Sequence, residues 1–224
     1  MLSFFYVSAF VVSAWLPFVW VHHALHGGPS LLHAGVTLFN AINTLICIWE
    51  QALFLCRHDV RGQFAAYKQR LGGRGRLPSP MFLFDDIGPS QALSLRYWAT
   101  GVWSQYSLLD SSYSDPAAFG FWIDTGNGFT MILPSVLLTV GMTWDVLDAR
   151  TLGVLGIVAN WQMAYGTALY FGQYCLNERF KGTPGLLVVT VVVANGIWIA
   201  GPAAAGWACW QMVQSGTFDV VRAL

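Results

Sequence analysis

The chain has 224 residues, of which 55% are apolar, 15% aromatic and only 10% charged. Soluble domains carry about 25% charged residues, so this deficit points to a membrane protein before any motif is considered. Eleven Lys and Arg balance eleven Asp and Glu, with no basic tract or stripe, which leaves nucleic-acid binding without support.

Five apolar runs follow in chain order: residues 2–22, 32–56, 118–142, 151–175 and 185–211. The first lacks the charged start of a secretory signal and, at about 20 residues, is long enough to cross a hydrocarbon core, so it is expected to be a membrane helix. The second carries Asn40, Asn43 and Glu50, and that stripe is expected to face other helices instead of lipid. The third carries Asp124, Asn127, Thr130 and Pro134, with the proline expected to kink it. The fourth holds Asn160, Gln162, Tyr165, Gly166 and Tyr170, and the fifth Asn195, Gly196, Trp198 and Pro202. These runs predict an all-α membrane protein, one domain over residues 1–224. Its five transmembrane helices enclose an apolar cavity, and one long loop joins helices 2 and 3.

That loop, residues 57–117, is the one long polar segment. Residues 57–70 read as a short amphipathic helix, 72–80 as a Gly/Pro connector, and 91–106 as a helix lying on the membrane surface. Arg57, Arg61, Lys68, Arg70, Arg74, Arg76, Arg96, Arg179 and Lys181 fall on the N-terminal side of the membrane, against Arg150 and Arg222 opposite. The positive-inside rule then makes the long loop cytoplasmic.

Acids at membrane depth are functional candidates, because a charged Asp at the bilayer centre costs about 2.5–3.5 kcal/mol on insertion scales. Glu50 and Asp124 are such acids, and acid/base chemistry on a lipid-soluble molecule is what two of them would serve. Cys47, Cys56, Cys175 and Cys209 show no CxxC spacing and read as small buried hydrophobes. His22, His23, His26 and His33 read as a solvated cluster at the interface, since no Cys or carboxylate joins them as a metal ligand. Motifs for serine hydrolases, zinc proteases, dinucleotides and phosphate loops are missing, so catalysis is expected to need no cofactor and no metal.

Four short patterns carry a resemblance. Trp103, Tyr106, Asp110 and Tyr113 form W-x2-Y-x3-D-x2-Y, followed eleven residues later by Asp124. Glu50 opens E-Q-A-L-F-L on the second run; Tyr165, Gly166 and Tyr170 lie in Y-G-x2-L-Y-F on the fourth; Asn195, Trp198 and Pro202 form N-x2-W-x3-P on the fifth. Together they resemble the emopamil-binding protein (EXPERA) family, over roughly residues 40–210. The resemblance implies that Glu50 and Asp124 are the two acids of a site like that of sterol Δ8–Δ7 isomerase. It implies that Asn195 and Trp198 line the pocket, with Trp198 facing a cationic centre, which an aromatic face stabilises. Asn43, Trp49, Asn127 and Tyr165 join Trp103, Tyr106, Asp110 and Tyr113 as candidate substrate-binding residues.

Two positions depart from the pattern. Ile46 stands where the isomerase has a His four residues before its second-span acid, and Asp124 stands where it has Glu. Loss of that proton relay points away from the ordinary sterol reaction. An isomerase or cyclase acting on an alkene or epoxide of another sterol, terpenoid or polyketide fits better. The alternative is a sterol- or lipid-binding or escort protein without catalysis. Structural readings also stand: Glu50 as a packing device, Asp124 at headgroup level, Asp110 as a cap, and Tyr106 and Tyr113 as interfacial anchors. Expected partners are a hydrophobic small molecule from the bilayer and the membrane itself, and a homodimer is allowed. The membrane would be the endoplasmic reticulum in a eukaryote or the inner membrane in a bacterium.

Overall fold

The computed structural model describes residues 1–73 and 75–222; Arg74, counted above among the loop cations, lies outside them. The described residues form helices and no strand. In chain order these are α1 (Ser3–His26), α2 (Leu31–Leu55), α3 (Arg57–Leu71), α4 (Pro89–Ala92), α5 (Leu95–Trp98), α6 (Ser104–Tyr106), α7 (Phe119–Thr130), α8 (Ile132–Trp144), α9 (Ala149–Leu176), α10 (Gly185–Ser215) and α11 (Asp219–Arg222).

Three of them, α1, α2 and α10, are long and apolar enough to cross a membrane. The chain is thus an integral membrane protein by length and composition of its helices. The third apolar run is broken, as its proline predicts: it is two helices, α7 and α8, that part at Met131. Pro134 explains the position of the break. Its ring displaces the carbonyl of the residue four before it, Thr130, where α7 ends, while Pro134 itself sits harmlessly in the first turn of α8. Helix α9 has 28 residues, long enough to span, but Arg150, Asn160, Gln162 and Gln173 leave it less apolar than the other three.

Contacts divide the chain into two compact units. One comprises Met1–Ser8, Cys47–Phe129 and Ala168–Gly196; the other comprises Ala9–Ile46, Thr130–Thr167 and Ile197–Leu224.

In the first unit, α3 forms as expected and the connector after it turns at Gly72, whose φ of 72° is left-handed. The segment expected to lie on the membrane surface is divided: Leu93 and Leu95 are exposed, while its second half packs inward. Helix α5 runs through a π-helical turn, Ala99–Trp103, into α6, and Trp98, Trp103, Ser104 and Gln105 are buried. Polar satisfaction explains this: Trp103 donates to the Trp49 carbonyl at 2.6 Å and Ser104 to the Val60 carbonyl at 3.1 Å. The Trp49 ring stacks on Trp98 at 5.4 Å.

In the second unit, Val36, Leu138, Met142, Leu152, Ala208, Cys209 and Met212 form the apolar core. Small residues let its helices approach closely: a Cβ on Gly153 would come within 2.7 Å of the Cys209 carbonyl oxygen. A polar ladder joins α2 to α8. Asn43 donates to Ser135 at 2.9 Å, Asn40 to Thr139 at 3.2 Å, and the His33 ring nitrogen lies 3.0 Å from the Thr143 hydroxyl. The rungs rise on one helix as they fall on the other, so the two run antiparallel. Of the cysteines, Cys47 and Cys209 are buried and Cys56 is half-buried, but Cys175, in the last turn of α9, is exposed, against expectation.

Candidate functional site

Helix α7 places Asp124, Asn127 and Gly128 on one face, at positions i, i+3 and i+4. That face meets α2 at Gly128. A Cβ there would stand 2.6 Å from the Glu50 Cβ and 2.9 Å from the Cys47 carbonyl oxygen, so only glycine permits the approach. Gln51 ties the contact by donating to the Gly128 carbonyl at 2.8 Å. As a result Glu50, 3% exposed, accepts from the Asn127 amide on both oxygens, at 3.0 and 3.3 Å. Asp124 lies within electrostatic reach of Glu50 and of the Tyr113 hydroxyl. The two acids singled out by sequence therefore share one unit and sense each other.

Around Asp124 stands an aromatic group. Tyr113 stacks on Trp103 at 5.2 Å and meets Tyr106 edge-to-face at 5.0 Å, with Tyr170 at 6.0 Å. Asn195 donates to the Tyr106 hydroxyl at 2.6 Å. Burial pushes the Tyr106 and Tyr113 phenols well above the usual tyrosine range, and the charge of Asp124 adds to the effect on both. These phenols stay protonated and can donate hydrogen bonds at any ordinary pH.

Asp110 has partners on both carboxylate oxygens. It caps the 3-10 turn Ser111–Ser114 by accepting from the Ser112 N–H at 3.0 Å, and it accepts from Arg179 at 2.8 Å and from the Tyr170 hydroxyl at 2.9 Å. Arg179 was not singled out by sequence. It follows Asp110 by 69 residues, and nothing local marks the pair.

The remaining candidates lie in the second unit. Trp198 donates its indole N–H to the Asn43 amide oxygen at 2.7 Å and meets Phe39 edge-to-face at 6.4 Å. Tyr165 is 51% exposed and stacks on Trp161, one helical turn earlier, at 5.7 Å. The histidines are not a solvated cluster: His22 and His33 are buried and stacked face to face at 3.7 Å, with His26 4.6 Å from His22, whereas His23 is exposed. Helix α1 continues past its apolar run to His26, so these residues lie on a helix and not in a turn. Among the described residues, no group of three or more His, Cys, Asp or Glu is arranged to hold a metal ion.

No protein-family model, curated protein or solved structure matches this chain.

Proposed function

We propose that this chain is a membrane-embedded isomerase or cyclase of the emopamil-binding-protein type. Its substrate is a hydrophobic polycyclic molecule, a sterol, terpenoid or polyketide, drawn from the bilayer. In this reading the protein has five spans, with α7 and α8 together counting as one and α9 as another, and an apolar cavity within the unit that holds Glu50 and Asp124. The observation that carries the proposal is the pairing of these two carboxyl groups in one unit of a membrane protein, with Glu50 held by the Asn127 amide on both its oxygens.

One acid delivers its proton to an alkene carbon (or an epoxide oxygen) and leaves a carbocation on the substrate. The other, ionised, removes a proton from the neighbouring carbon and a double bond forms there. The substrate's formula is unchanged, and one proton has moved between the acids. Trp49, Trp103, Tyr106 and Tyr113 supply aromatic faces against the cation, while Asn195 holds the Tyr106 hydroxyl in place. A general acid–base pair of this kind contributes about 10²–10⁴-fold to rate.

Mass spectrometry of the lipid that co-purifies in mild detergent, repeated in deuterated water, tests this. A bound molecule that gains one deuterium with the wild type but not with Glu50→Gln is expected. A stoichiometric ligand that never exchanges in either protein would make this a lipid-binding protein instead.

A further inference from the structure

We infer that Asn127 is a positioning residue that rotates its amide with each protonation change of Glu50. The inference rests on the functional reading above.

A proton-transfer acid must exist in two forms at the same buried place. Ionised Glu50 only accepts hydrogen bonds, whereas protonated Glu50 presents an O–H that needs an acceptor. The groups that face it are Asn127 and Asp124 from α7 and the Cys47 thiol one turn earlier on α2. Asp124 changes charge in the same cycle, and a thiol is a weak partner in either direction. Asn127 alone among them offers a strong donor and a strong acceptor on one flat, nearly symmetric group. With its NH2 toward Glu50, as in this structure, it donates to both carboxylate oxygens at 3.0 and 3.3 Å. Turned by half a revolution about its last side-chain bond, it puts its carbonyl in the same place and accepts from the protonated acid. Neither side chain has to leave its position. Gly128, the next residue, fixes the backbone approach that keeps the amide within this reach.

The test is infrared difference spectroscopy of the wild type across a pH titration, with asparagine labelled in its side-chain amide. Deuterium exchange into the bound lipid is read in parallel for Asn127→Leu and Asn127→Asp. Expected is an amide band that changes together with the Glu50 carboxyl band and is lost in both variants. Asn127→Leu, close in shape but unable to hydrogen-bond, should keep its lipid yet exchange at least about 100-fold more slowly, the lower range for a positioned acid–base group. Asn127→Asp, which both accepts and donates as it titrates, should retain exchange with a displaced pH profile. An amide band that stays fixed throughout, or exchange in Asn127→Leu at the wild-type rate, overturns the inference. A wild type that binds lipid without exchange refutes the functional reading, and the labelled amide band then still decides whether Asn127 turns with Glu50.

Discussion

The indole N–H of Trp198 is bonded to Asn43, 155 positions earlier in the chain, at 2.7 Å, and Asn43 spends its own amide N–H on Ser135. This fixes the plane of the Trp198 ring by its edge and leaves only its faces for any aromatic interaction. Asn43 is fully buried, so breaking the link leaves a polar group without a partner in an apolar setting. Trp198→Phe and Asn43→Leu should each destabilise the protein by about 1–3 kcal/mol, the cost of a buried unpaired group. The double variant should lose less than the sum, as expected of residues in one hydrogen-bond pair. Unfolding midpoints in a fixed detergent, measured for all four proteins of the cycle, check this.

Two glycines on α7 should respond oppositely to the same change. Gly128→Ala drives a methyl group to 2.6 Å from the Glu50 Cβ and against backbone, so α2 and α7 must separate. Overpacking of this kind costs about 1–3 kcal/mol, and the separation should also cost the variant its exchange activity. Gly126→Ala meets nothing within 4 Å. It should be neutral or stabilising by up to about 1 kcal/mol, the helix-propensity gain of alanine over glycine. Thermal unfolding of the two variants side by side is the measurement.

Alkaline pH should find the tyrosine group. Burial raises the phenols of Tyr106 and Tyr113 above the value they have in an unfolded chain. The stability this contributes is fully present below the unfolded value of about pH 10. Above it the unfolded chain sheds these protons while the folded one retains them, so stability falls as pH rises toward the folded values. Melting temperature should therefore be insensitive to these groups from neutral pH to about 10 and drop beyond it. Tyr113→Phe should make that drop shallower.

What could be read in the sequence follows from properties of single segments. Composition set the membrane class, and the apolar runs located α1, α2 and α10, because hydropathy is a local property. Pro134 announced a break, and the structure put it one turn upstream because the ring clashes with the carbonyl four residues before it. The polar stripe of α2, with Asn40, Asn43 and Glu50, was legible because positions three and four apart share a face of one helix.

The partners of that stripe were not legible. Nothing near Glu50 names Asn127, nothing near Asn43 names Trp198, and nothing near Asp110 names Arg179. Helical periodicity says which residues share a face but not which face of which other helix will meet it. That choice is made by close packing, where a residue without a side chain, as at Gly128, lets one pair of helices approach and aligns their polar groups. Sequence by itself determined that two acids would fall within apolar runs of a helical membrane protein. Only the tertiary structure decided that Asn127 would hold Glu50, because hydrogen-bond partners across helices exist only once the helices are packed.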